Sequence, residues 1–166
     1  MIETDGGIAT DNDGGIIGGL GNIGRLIAHR SDESEFITSI TNTNSYFDIL
    51  PTDFDIDETL GFSRVSDGVF AWTRDYNIYA YGEWIFGGSS PQGGNKICFL
   101  DTKLNGGLLG QNQNETADSL TETVVVPWET NLSKDDEINL SVRNSTDTDD
   151  WRVFSAWLKI TAIKRI

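Results

Sequence analysis

The sequence predicts an all-β fold, two antiparallel sheets packed as a sandwich, and three observations predict it. In residues 137–144 apolar Ile138, Leu140 and Val142 alternate with polar neighbours, as a strand with one wet face requires. Residues 153–163 carry the chain almost to its end as one long strand. Eighteen glycines, with many Asn, Thr, Ser and Asp and with aromatic residues inside the apolar runs, supply turns and strand formers, while helix formers are sparse.

Taken in order, residues 1–34 read as a glycine-rich extended N-terminal arm, and residues 35–166 as the β-sandwich domain. Gly6, Gly7, Gly14, Gly15, Gly18, Gly19, Gly21 and Gly24 cost too much backbone entropy for a compact core, yet Ile16, Ile17, Leu20 and Ile23 suit an apolar groove. A short helix over 22–30 fits the end of that arm. Strands are expected at 36–40, at 45–50 before Pro51, and at 61–65 and 69–72 around the turn Ser66-Asp67-Gly68. Residues 77–86 form the most aromatic strand, with Ile78, Ala80, Trp84 and Phe86 on one face and Tyr79, Tyr81 and Ile85 on the other. Both faces are apolar, which implies burial on two sides or a subunit contact. A polar loop follows at 87–94, then a strand at 96–102, the turn Asn105-Gly106-Gly107 and a loop over 110–119. Residues 121–126 are a strand that Pro127 ends or places at an edge. The total of about eight to ten strands suits a two-sheet sandwich.

Composition removes several function classes. A net charge of −14, from 26 acidic against 12 basic residues, gives no cationic face for phosphates, so no nucleic-acid partner is expected. Cys98 is the lone cysteine and reads as a buried thiol. The start of the chain has no basic region followed by an apolar one, and no run approaches 18 apolar residues, so neither a secretory leader nor a membrane span is expected.

Gly19-Leu20-Gly21-Asn22-Ile23-Gly24 matches G-x-G-x-x-G, but the buried strand before it and the further βαβ units that a dinucleotide site needs are missing. Asp53, Asp55 and Asp57 alternate but read as solvated rather than as a metal site, since Glu58 stands where a Ca²⁺ loop needs glycine and Arg64 stands at its twelfth position, and Asp147-Thr148-Asp149-Asp150 reads likewise as a solvated loop cluster. His29 is the sole histidine and lies in the expected arm, leaving no base for a nucleophilic triad, so neither an enzyme nor a cofactor is expected. Of five tryptophans, Trp84 and Trp157 sit inside strands, while Trp128 and Trp151 flank loops and are the candidates for ligand recognition.

Three segments together carry a resemblance. Asp75 to Tyr81 leads from a turn into an aromatic alternating strand, Leu132 to Val142 follows the pattern Leu-x-x-Gly-Asp-x-Val-x-Leu, and Phe154-Ser155-Ala156-Trp157-Leu158 matches a Phe-Ser-x-x-Leu final strand. Over residues 60–163 the chain resembles the TNF/C1q-like jelly rolls, with Lys134-Asp135 or Asp135-Asp136 standing where that family has Gly-Asp. The resemblance implies a homotrimer with an aromatic sheet face at the threefold axis, here Tyr79, Tyr81 and Trp157. Such domains serve as cytokine-like ligands and as viral capsid decorations, head fibres and fibre tips.

The expected function is therefore structural: a homotrimeric virion protein of bacteriophage type, made in the host cytoplasm, decorating or cementing the capsid or forming a head fibre. The expected partners are its own copies and the major capsid protein, with no membrane. Ile16, Ile17, Leu20, Ile23, Arg25, His29 and Arg30 are the expected capsid anchor. The alternative is a receptor- or carbohydrate-binding fibre tip that uses Trp128 and Trp151.

Overall fold

A computed structural model describes residues 23–30, 35–51, 54–91, 96–110, 113–117 and 122–165. Among them are fourteen strands: β1 (Gly24–Arg30), β2 (Phe36–Thr38), β3 (Phe47–Ile49), β4 (Phe54–Leu60), β5 (Phe62–Ser66), β6 (Val69–Trp72), β7 (Ile78–Pro91), β8 (Lys96–Leu104), β9 (Gly107–Leu108), β10 (Gln113–Ala117), β11 (Glu122–Leu132), β12 (Glu137–Asn144), β13 (Trp151–Val153) and β14 (Ser155–Arg165). The first sheet runs β11-β7-β14-β1-β4, with β13 and β2 continuing it beside the far end of β7. The second runs β10-β8-β12-β6-β5, with β3 also beside β12 and β9 beside β8. Every pairing is antiparallel. The architecture is the expected all-β, two-sheet jelly-roll sandwich.

Several boundaries differ from the sequence reading, each for a physical reason. Residues 24–30 are neither arm nor helix. Gly24, Leu26, Ala28 and Arg30 point inward and Arg25, Ile27 and His29 outward, a two-residue period that fits a strand held between β14 and β4. The expected loop at 87–94 begins as strand, because β7 continues to Pro91 to pair with Trp151 and Arg152 of β13. The loop expected over 110–119 contains β10, a polar strand at a sheet edge where β8 supplies the hydrogen bonds. β11 passes through Pro127 because it pairs with β7 alone in its sheet, so the missing N–H is not needed. The long final strand is broken at Phe154, where consecutive residues Phe154 and Ser155 both turn away from the core.

The core between the sheets is rich in large rings, with Trp72, Trp84, Trp151, Phe70 and Phe86 fully buried. Trp72 closes one end. Its ring packs on Phe62 and Tyr76, its indole N–H donates to the Tyr76 carbonyl at 2.7 Å, and it lies against the backbone of both Gly24 and Gly61. A Cβ on Gly61 would come within 2.3 Å of that ring, and one on Gly24 within 2.6 Å. The turn before β12 is tied to the same place: the Asp135 N–H donates to the Trp72 carbonyl at 2.7 Å, and the Trp72 N–H to the Asp136 carbonyl at 3.3 Å.

That turn also resolves which acidic pair replaces the glycine-aspartate of the resembled pattern. Asp135 has a left-handed φ of 65°, a conformation glycine adopts without steric cost. Asp136 then accepts the Ser133 N–H at 2.7 Å and the Asn105 side-chain amide at 2.7 Å, latching the β8–β9 turn to the β11–β12 turn.

Asp135→Gly should therefore raise unfolding stability by about 0.5–1 kcal/mol. Gly61→Ala and Gly106→Ala separate strain from clash. Both positions have positive φ, but nothing lies within 4 Å of a Cβ on Gly106. Urea denaturation should give a loss of about 1 kcal/mol for Gly106→Ala and at least twice that for Gly61→Ala.

Candidate self-association face

Alternation in the first sheet sends one set of side chains into the core and the other into solvent. In β7, Ile78, Ala80, Trp84 and Phe86 are buried, while Tyr79, Tyr81, Glu83 and Ile85 face outward. The strand register assembles these outward residues into rows. One row runs His29, Trp157, Ile85, Val125 across β1, β14, β7 and β11. The next is Ile27, Lys159, Glu83, Pro127, and the third Arg25, Thr161, Tyr81, Glu129. Tyr81 is 50% exposed, Trp157 41%, Val125 41% and Ile163 50%. The sheet thus presents rings and aliphatic side chains to water around a charged centre.

Polar contacts hold the charged members in place. Lys159 lies 3.5 Å from Glu83, and Arg25 lies 3.3 Å from Glu58 of β4. The Tyr79 hydroxyl donates to Glu129 at 2.5 Å, and that hydrogen bond to a carboxylate holds the phenol above its ordinary pKa. The His29 ring stacks on Trp157 with centroids 4.9 Å apart, and its Nδ1 is 2.7 Å from an Asp57 carboxylate oxygen. Two hollows flank Lys159: a groove of about 280 Å³ bordered by Arg25, Ile27, Tyr81, Glu83 and Thr161, and a more apolar one of about 300 Å³ against Ile85 and Trp157.

Tyr79, Tyr81 and Trp157, expected together, do share this face. The residues expected to anchor the arm do not stay together. Arg25 and His29 are on the same outer face, through β1. Arg30 turns inward, nearly buried, with its guanidinium 5.9 Å from the Phe36 ring. Ile23 packs against the core, and Ile16, Ile17 and Leu20 lie outside the described residues.

The two tryptophans expected to meet a ligand are buried. Trp128 is 3% exposed because it is an inward residue of β11 opposite Gly82, whose bare Cα leaves room for the indole. A Cβ on Gly82 would approach that ring to 2.4 Å. Trp151 is fully buried, since β13 pairs on both sides, with β2 and β7. Nearness to a loop in sequence did not imply exposure. Trp157, read as core or subunit contact, is the exposed tryptophan, and its alternation with Ala156 and Leu158 was the signal.

The acidic loop after β12 is partly neutralised by Lys96 of β8. Lys96 pairs with Asp147 and lies 2.9 Å from Asp149, while Asn144 donates to Asp147 at 2.9 Å. The Lys96 contact holds Asp147 below the usual aspartate pKa, and the same carboxylates raise Lys96.

No protein-family model matches the sequence, and no match was found among curated proteins. Solved structures do match. The chain is similar to the PRD1 vertex protein P5, with a TM-score of 0.54 and 14% identity over 87% of this chain and 98% of that one. It is similar to the globular domain of the zebrafish complement 1qA protein, with a TM-score of 0.50 and 12% identity over 86% and 98% of the two chains. It also resembles the Eiger TNF of S. frugiperda, with a TM-score of 0.50 and 10% identity over 88% and 96%. The fold is the TNF/C1q-like jelly roll, and its structural relatives include a viral vertex protein.

Trp128→Ala should cost about 3–5 kcal/mol of folding stability in thermal or denaturant unfolding, whereas Trp157→Ala should change the dilute chain by under about 1 kcal/mol. A depressed aspartate pKa contributes stability that is present above the unfolded value and lost as pH falls through the folded one. Acidification below about pH 4 should therefore open the 145–150 loop to proteolysis before the sandwich unfolds, and Lys96→Met should open it at neutral pH.

Proposed function

We propose that this chain is a structural protein of a virus particle: a homotrimeric jelly roll that decorates or cements the capsid, or forms a head fibre, and catalyses no reaction. The observation that carries the reading is the outward face of the first sheet. There Trp157, Ile85 and Val125 lie side by side in one row and Tyr81 lies two rows away across the Lys159–Glu83 pair, with Trp157, Val125 and Tyr81 exposed to water. Exposed patches of this kind mark interaction sites. Copies of the same chain fit it, because rings project from the middle of a rigid sheet and lie beside hollows that can receive them. The likeness to a viral vertex protein supports placement on a particle surface.

Attachment is assigned to residues 1–22 together with the major capsid protein. Arg25, His29 and Arg30 are withdrawn from the proposed anchor, since β1 commits them to the sandwich. Three such segments on one trimer bind together, so weak single contacts sum to firm attachment.

Deletion of residues 1–22 tests the anchor, because it leaves every described strand intact. Binding to empty capsids should be lost while the far-ultraviolet dichroism of the jelly roll is unchanged; undiminished binding would contradict the assignment. Tyr81→Glu or Trp157→Glu should weaken self-association at least tenfold, or about 1.4 kcal/mol, measured by dilution in a sizing column.

A further inference from the structure

Asn105 is the one asparagine of this chain that precedes a glycine. Such a pair leaves an asparagine amide open to attack by its own backbone, because glycine puts no side chain over the nitrogen that follows. Here the turn also faces water. Both residues have left-handed φ, 50° at Asn105 and 78° at Gly106, as the two-residue turn from β8 to β9 requires, and both are exposed. Nothing lies within 4 Å of a Cβ built on Gly106. What opposes the reaction is the neighbouring turn. The Asn105 side-chain amide donates to the Asp136 carboxylate at 2.7 Å, its carbonyl oxygen accepts the Glu137 N–H at 2.9 Å, and its backbone N–H donates to the Glu137 carbonyl at 2.9 Å. Both ends of the side-chain amide are thus engaged on the β11–β12 turn, and closing a ring on the Gly106 nitrogen has to break those bonds.

We propose that Asn105 is a site of spontaneous deamidation that the fold guards, and that its conversion unfastens the end of the sandwich closed by Trp72. In the reaction the Gly106 nitrogen gives up its proton and bonds to Asn105 Cγ; the Cγ–NH2 bond breaks, and the leaving amine takes up a proton as ammonia. Water then opens the cyclic imide, at Cγ to give aspartate or at the backbone carbonyl to give isoaspartate, with nothing oxidised or reduced. Since Cγ must first leave Asp136 and Glu137, the folded chain reacts through openings of this latch. The product does not fit the place. A carboxylate at residue 105 can still accept the Glu137 N–H, but it has no N–H for Asp136. Two carboxylates then meet at the former hydrogen-bond distance, in a chain that already carries −14. Their repulsion acts on the turn whose Asp135 N–H donates to the Trp72 carbonyl at 2.7 Å and whose Asp136 carbonyl accepts the Trp72 N–H at 3.3 Å. A change at one exposed side chain is thereby coupled to the ring that closes the core. The inference is independent of the self-association face.

Peptide mapping by mass spectrometry, with the full chain sampled during incubation at mildly alkaline pH, tests the site and its guard. Conversion at Asn105 should be at least about tenfold slower in the folded chain than in the same chain held in urea, the protection expected from a hydrogen bond to a charged acceptor. Asp136→Ala should remove most of that difference. Asn105→Asp, which makes the product directly, should lower the urea midpoint and hasten proteolytic cutting within residues 133–136. Equal rates in the folded and urea-held chains, or in folded Asp136→Ala and wild type, would overturn the guard. In the urea-held chain, conversion at Asn44 or Asn144, each followed by serine, ahead of Asn105 would overturn the site. An Asn105→Asp chain as stable as the wild type would overturn the coupling to the core. The folded and urea-held wild type are compared directly, so the test stands even if Asp136→Ala does not fold.

Discussion

A strand has two faces, and a sandwich of two sheets covers only one of them. In β7 and β14 both faces carry rings or aliphatic side chains: Trp84, Phe86 and Leu158 inward, Tyr81, Ile85 and Trp157 outward. This excess of apolar surface over what the single chain can bury is the constraint from which the functional reading descends. Hydrophobic burial is proportional to area removed from water, and the outward face retains that driving force. The second sheet exposes single aliphatic side chains, Val65, Ile97 and Leu108, and its outward surface carries an Arg143 guanidinium between Tyr46 and Phe99 and Lys103 paired with Asp48.

The inward half sets how flat and rigid the face is. Trp128 fits over Gly82, which keeps β11 and β7 close along ten paired positions. At the other end of the sheet Trp72 reaches from β6 to the backbone of Gly24 and Gly61, tying the two sheets together where β1 enters. Small residues opposite large rings hold the strands whose outer residues form the patch, so packing in the core and display on the surface are one design.

The sequence made some of this legible and hid the rest. The face assignment of residues 78–86 was readable because alternation is strict there, and the order of Tyr79, Tyr81 and Ile85 against Ile78, Ala80, Trp84 and Phe86 is as expected. β1 was hidden by its glycine-rich surroundings: the alternation of Leu26 and Ala28 with Arg25, Ile27 and His29 spans only seven residues, GRLIAHR, and follows a run resembling a flexible linker. β10 was hidden because QNETA has the composition of a loop and becomes a strand only when β8 lies beside it. Trp128 and Trp151 were misplaced because exposure depends on the partner strand, and the partner of Trp128, Gly82, lies 46 residues away in sequence. The bulge at Asp57, which sets Ala28 opposite Ile56 and Ile27 opposite Glu58, is a property of register, which no local pattern specifies.

In the proposed trimer, copies of the chain cover the outward face of the first sheet and leave the second sheet open. Hydroxyl-radical footprinting of the purified chain over a range of concentrations reads this residue by residue. Tyr81, Trp157 and Ile163 should become protected as concentration rises, with the mass moving to three times 18.3 kDa, while Val65 and Leu108 of the second sheet stay reactive throughout. Equal reactivity of the two sets at every concentration would contradict the account.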